Sequence, residues 1–162
     1  MLGASSADAL AGTNGIWIDS TTGGLWSDPS NWSGGVVADG TDAVADFSTL
    51  DLTADNTVHL NGLRTVGTLI FGDTTPSNNW TVDNNGGAAN AITLATSSGT
   101  PTVQVNNQTV TITADLGGTQ GMMKTGSGTL LLDSTPAGLT SINGGVLELD
   151  SSFSRTFEIG GL

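Results

Sequence analysis

Apolar residues recur at every second position in short runs along this chain, and Gly, Asn, Asp, Ser or Thr closes each run. The pairs are Val58/Leu60, Leu69/Phe71, Trp80/Val82, Ile92/Leu94, Val103/Val105, Val110/Ile112, Leu130/Leu132, Leu147/Leu149 and Phe157/Ile159. A period of two puts both members on one face of an extended strand, so each pair predicts a short strand with one buried face. The first five pairs step by 11, 11, 12 and 11 residues; the later steps are 7, 20, 17 and 10, and Met122 and Ile142 are candidates to fill the two gaps. Thr takes the outward positions, as in Thr109-Val110-Thr111-Ile112-Thr113, which suits a solvated sheet face. No stretch carries the period of an amphipathic helix. The pattern predicts an all-β fold.

Two architectures place strands at this spacing, a parallel β-solenoid (β-helix) and a β-sandwich. The strands are very short, their inward residues are uniform aliphatics, and their turns rely on Asn and Gly, which tolerate the left-handed conformations of sharp corners. These features favour the solenoid, with the sandwich as the alternative. Three of the four Trp, namely Trp17, Trp26 and Trp32, fall in the first fifty residues, where alternation is weak. Large rings are efficient covers for the open end of a stack, so residues 14–50 read as a Trp-rich N-terminal cap or first coil. Residues 51–162 read as further coils of the same single domain, and 1–13 as a disordered or appended N-terminus. Met1–Asp8 has neither the basic nor the apolar region of a signal peptide, and the chain stops at Gly160-Gly161-Leu162 with the strand pattern still running. A fragment of a longer protein is expected.

Composition narrows the chemistry. Among 162 residues, 3 Lys plus Arg stand against 15 Asp plus Glu, a formal charge of −12. Binding to nucleic acid or to an anionic membrane surface needs basic side chains, so neither is expected. A hydrophobic fraction of 36% argues against disorder, and no run approaches the roughly 18 apolar residues of a membrane span. The absence of Cys removes disulfides, thiol nucleophiles, zinc ribbons and iron–sulfur clusters together.

Several longer stretches resemble one family. Gly15-Ile16-Trp17, then Leu25-Trp26-Ser27-Asp28-Pro29-Ser30-Asn31-Trp32-Ser33-Gly34-Gly35, then Asp42-Ala43-Val44-Ala45-Asp46-Phe47, are similar to the opening of autotransporter-associated β-strand repeat (passenger-associated transport repeat) proteins. Val66-Gly67-Thr68-Leu69-Ile70-Phe71-Gly72 resembles their next strand. The most specific match is Lys124-Thr125-Gly126-Ser127-Gly128-Thr129-Leu130-Leu131-Leu132, answered by Ile142-Asn143-Gly144-Gly145-Val146-Leu147-Glu148-Leu149. The linker Asp133–Leu139 is short and lacks the aromatic-Ser/Thr-Gly turn usual between those two strands. The resemblance implies a right-handed parallel β-helix from a secreted or surface-exposed bacterial protein, a stalk or scaffold that aids export. It implies no enzymatic activity and no cofactor. The expected partners are neighbouring repeats, or further copies of the chain through open ends, and surface glycans.

Lys124-Thr125-Gly126-Ser127-Gly128 is not a phosphate loop, because Lys precedes the glycines and a strand follows; it reads as a coil corner with Lys124 along its surface. His59, the only His, alternates outward between Val58 and Leu60 and reads as a lone solvated side chain. Asp39, Asp42, Asp46, Asp51 and Asp55 could offer calcium its oxygens, but their spacing fits no calcium loop and reads as solvated surface, so no metal is expected. Glu148 and Glu158, the only Glu, stand outward without the basic residues that cleavage of an acidic polysaccharide requires, so no catalytic residue is expected. Trp26 and Trp32 are the candidates for stacking on sugars in the alternative reading, a carbohydrate-binding module; burial is the simpler role for them and for Trp80.

Overall fold

A residue pair that alternates inward needs an apolar layer on one side and water on the other, and fifteen short strands meet that need. A computed structural model describes residues 12–150. In chain order the strands are β1 (Gly15–Ile16), β2 (Gly24–Leu25), β3 (Val44–Phe47), β4 (Asn56–His59), β5 (Arg64–Val66), β6 (Thr68–Phe71), β7 (Trp80–Asp83), β8 (Ala91–Leu94), β9 (Thr102–Val105), β10 (Thr109–Ile112), β11 (Asp115–Gly117), β12 (Met122–Thr125), β13 (Thr129–Leu132), β14 (Thr140–Ile142) and β15 (Val146–Leu149). The only helical pieces among the described residues are two 3-10 turns, Pro29–Asn31 and Ser33–Gly35. No helix there is long and apolar enough to cross a membrane. Eight of the nine pairs read from the sequence have both members on, or one residue past, a strand; the ninth, Phe157/Ile159, lies outside the described residues.

The strands form three sheets, in the orders β1-β3-β6-β9-β12-β14, β2-β4-β7-β10-β13-β15 and β5-β8-β11. Every strand pairing is parallel, and consecutive strands never pair. From β3 to β11 the chain visits the first sheet, the second, then the third, before it returns to lie beside its own earlier path; β1–β2, β12–β13 and β14–β15 visit only the first two. The fold is therefore all-β, parallel and β-helix-like. A sandwich would pair its strands antiparallel, which no described strand does.

Register explains the spacing seen in the sequence. Thr68 of β6 pairs with Thr102 of β9, 34 residues on, so three strand-to-strand steps of about eleven residues close one circuit. Later circuits are shorter. Thr109 pairs with Thr129, and Thr129 with Val146 only 17 residues on. The shortening begins while the third sheet is still present, since the circuit from β10 to β13 passes through β11; the 17-residue circuit that follows has no third-sheet strand, because residues 133–139 form none.

Parallel register stacks like on like. Phe47 pairs with Phe71, and their rings are stacked, with centroids 4.9 Å apart and planes nearly parallel, at 9°. Val58, Val82, Ile112 and Leu132 form one buried column, and Trp80, Val110 and Leu130 form another. At the N-terminal side, Trp17, Trp26 and Trp32 close around Phe47, with ring centroids 5.1–5.6 Å apart. Residues 14–50 thus contribute strands β1 to β3 as well as the aromatic cluster, and Thr13 already bridges to Asp39.

Candidate functional site

Most conspicuous is a lysine inside the protein. Strand β12 alternates with Met122 and Lys124 inward and Met123 and Thr125 outward. Its register sets Lys124 beside Val103, in the inward column that begins with Ala45 and Leu69. Lys124 is fully buried, and its Nζ donates to the carbonyl oxygens of Thr125 at 2.9 Å, Gly126 at 3.1 Å and Gly144 at 3.1 Å. An ammonium has three donors, and all three are used. Burial holds its pKa below the ordinary lysine value of 10.5, because desolvation disfavours the charged form.

The expected surface lysine is therefore corrected: the glycines do form a corner, but Lys124 lies beneath it. The alternation started at Met122 was the available signal. Gly126, at φ +78°, and Gly145, at φ +67°, occupy the left-handed region at this corner. A β-carbon on Gly145 would come 2.9 Å from Lys124 Nζ, so the cradle has no room for a side chain there.

A second buried polar group is one that sequence reasoning did not single out. Asp73 follows β6, and its Oδ1 accepts the backbone N–H of Leu52 at 3.0 Å. Its Oδ2 accepts the N–H groups of Ser77 and Asn78, each at 3.0 Å, and the Ser77 hydroxyl at 3.1 Å. Desolvation is the largest single influence and pushes its pKa up, but the bonds from Leu52, Asn78 and Ser77 together outweigh it and hold the carboxyl below the ordinary 3.8. The run Gly72-Asp73-Thr74-Thr75-Pro76-Ser77 carries turn chemistry, yet Leu52 lies 21 residues away.

His59 also differs from expectation. It faces outward, as alternation requires, but it is half-buried and its Nδ1 lies 2.6 Å from Asp83 Oδ1 on β7, its register partner. Parallel register supplies the partner that a local reading of the sequence lacks. No hydroxyl is hydrogen-bonded to the ring among the described residues.

The acidic run is dispersed. Asp39 accepts from Arg64 Nη1 at 3.0 Å and from the Thr65 N–H, Asp42 from the Ser97 N–H, Asp46 from Ser48, and Asp55 from the Asn79 N–H. Asp51 is exposed. Among the described residues no three His, Cys, Asp or Glu come together as a metal site would require. Glu148 is exposed on β15, and Glu158 lies outside the described residues.

Trp26 and Trp32 are buried, at 0% and 1% exposure, and Trp80 at 2%. Trp26 Nε1 donates to the Ala38 carbonyl and Trp32 Nε1 to the Trp26 carbonyl, so the polar edge of each ring is satisfied internally. Neither ring offers a face to a sugar in this structure. One groove of about 300 Å³ lies where the third sheet ends, lined by Asp115, Leu116, Gly117, Gly118, Ser134, Thr135 and Ala137. The Ser134 hydroxyl there accepts the Leu116 N–H and replaces the missing strand partner.

Lys124, Asp73, Asp39, Asp42, Asp46 and Asp55 hold backbone, taking N–H or C=O groups from a neighbouring circuit or turn, while His59 pairs with the Asp83 carboxylate. No family model, curated protein or solved structure matches the chain.

Proposed function

We propose that this chain is a non-enzymatic structural or adhesive segment, a right-handed parallel β-solenoid from a secreted or surface-exposed bacterial protein of the autotransporter-associated repeat kind. It acts as a stalk or scaffold and aids export. The observation that carries this reading is the use of the polar side chains: Lys124, Asp73, Asp55, Asp42 and Asp39 are bonded to the backbone of other circuits. The right hand follows from the twist of strands, which favours right-handed parallel crossovers. The resemblance of Gly15–Phe47 and Lys124–Leu149 to the repeat family supports the location.

Location is tested in the bacterium that makes the protein. An epitope inserted between Ser98 and Gly99, both exposed, is expected to be stained by antibody on intact cells. Staining only after lysis overturns the surface assignment.

Neighbouring repeats, or further copies of the chain, are the proposed partners. Ile142 and Val146, on β14 and β15, the last strands of their sheets among the described residues, are 37% and 47% exposed and offer apolar surface for such a contact. Two chains of charge −12 repel over a Debye length of about 8 Å at physiological salt, so association is expected to strengthen as salt is raised. Sedimentation velocity that shows association weakening with salt contradicts this.

A further inference from the structure

The chain contains four Asn-Gly steps, at Asn14-Gly15, Asn61-Gly62, Asn85-Gly86 and Asn143-Gly144. In such a step the glycine nitrogen can attack the asparagine side-chain carbonyl, because glycine has no β-carbon to obstruct ring closure. All four asparagines are accessible, or nearly so, and what separates them is how each side chain is held.

Asn14 Oδ1 accepts the Val44 N–H at 2.8 Å, which ties it to strand β3. Asn61 is held at both ends by Ser27: its Oδ1 accepts the backbone N–H at 3.2 Å and its Nδ2 donates to the hydroxyl. At Asn143 the backbone is fixed, because its N–H donates to the Lys124 carbonyl at 2.8 Å and the next carbonyl, that of Gly144, accepts from Lys124 Nζ. Its Nδ2 also rests on Met123 Sδ at 3.0 Å.

Asn85 is different. It is exposed at the corner between β7 and β8, and no hydrogen bond holds its side chain among the described residues. Its backbone is already left-handed, at φ +49°, and Gly86 follows at φ +71° with no atom within 4 Å of where a β-carbon would stand. The one restraint on the Gly86 nitrogen is a 3.0 Å bond to Asn84 Oδ1, within the same exposed turn.

We propose that Asn85-Gly86 is a site of spontaneous deamidation in the folded protein. The Gly86 amide gives its proton to hydroxide or a buffer base, and the nitrogen forms a bond to Asn85 Cγ. The Cγ–Nδ2 bond breaks and Nδ2 departs as ammonia, taking up a proton, which leaves a five-membered succinimide. Water then opens either of its carbonyls, giving aspartate or isoaspartate at position 85; nothing is oxidised or reduced. Each event adds one negative charge two residues from Asp83, whose Oδ1 accepts both the Asn85 N–H and the contact from His59. The isoaspartate product also lengthens the backbone of the corner by one carbon.

The test is peptide mass spectrometry of the intact protein held in mildly alkaline buffer, native and in denaturant, with isoaspartyl methyl transfer as a second readout. In the native protein the Asn85 peptide is expected to convert about tenfold faster than those of Asn14, Asn61 and Asn143, because held sites react only in the fraction of time they are open. In denaturant the four are expected to converge. Asn85→Gln should abolish the fast conversion while circular dichroism stays unchanged. Equal native rates at all four sites, or an Asn85 peptide that lags behind the others, overturns the proposal.

Discussion

An ammonium removed from water loses solvation worth several kcal/mol, and at Lys124 the carbonyls of Thr125, Gly126 and Gly144 stand in for that water. The depressed pKa says that the exchange still favours water for the charged form. The worth of Lys124 therefore lies in the carbonyls it satisfies and the volume it fills. Lys124→Ala leaves those oxygens without a partner and opens a cavity, and is expected to cost about 2–4 kcal/mol in a urea titration. Lys124→Met restores the volume alone and should recover only part of that loss. Wild-type stability in both variants would return Lys124 to the surface. Asp73 gives a pH test. Its folded pKa lies below the unfolded 3.8, so the unfolded chain binds more protons between the two values. Its contribution is full above 3.8 and is lost as pH falls through the folded value. Acid denaturation should therefore steepen below pH 3.8 in the wild type and be flatter there in Asp73→Asn, which starts from lower stability at neutral pH. Parallel acid profiles for the two proteins would contradict the role given to Asp73. Asp73 was not legible locally, and for Lys124 the one local cue was the alternation from Met122. A lysine among glycines reads as surface because desolvation ordinarily keeps ammonium groups out, and the carbonyl of Gly144 lies twenty residues away.

At the scale of elements, alternation was a sufficient guide wherever a strand carries two inward aliphatics, as β9, β10 and β13 do. It failed at β5 and β11, whose three residues each supply a single buried side chain, Val66 and Leu116. One apolar residue has no period. It failed also at β1 and β2, each two residues long and fixed by register with β3 and β4 rather than by their own sequence. Burial grades the cost of mutating the strands that were found. Leu130 on β13 is fully buried, so Leu130→Ala is expected to cost about 2–5 kcal/mol. Leu147, its register partner on β15, is only partly buried, and Leu147→Ala should cost about half as much. Equal losses in equilibrium unfolding would mean that β15 is covered as completely as β13.

For the whole molecule, the regular steps of eleven residues carried the circuit length, and the Trp-rich opening carried the aromatic cluster around Phe47. The uneven later steps reflect something that single pairs did not reveal: circuits shorten from 34 residues to 20 and then to 17, and of these only the last lacks a third-sheet strand. What the account rests on is that the chain pairs with itself one circuit on, never with the next strand along. The absence of native Cys allows a direct measurement by disulfide trapping. Thr81 on β7 and Thr111 on β10 are outward register partners, and neighbouring parallel strands lie about 4.8 Å apart, within the Cα separation that a disulfide spans. A hairpin of β9 with β10 would instead set Thr102 opposite Thr111. Under mild oxidation Thr81→Cys/Thr111→Cys should cross-link almost completely with the circular dichroism of the wild type, while Thr102→Cys/Thr111→Cys stays reduced. Cross-linking of the second pair and not the first would contradict the parallel circuit and the function built on it.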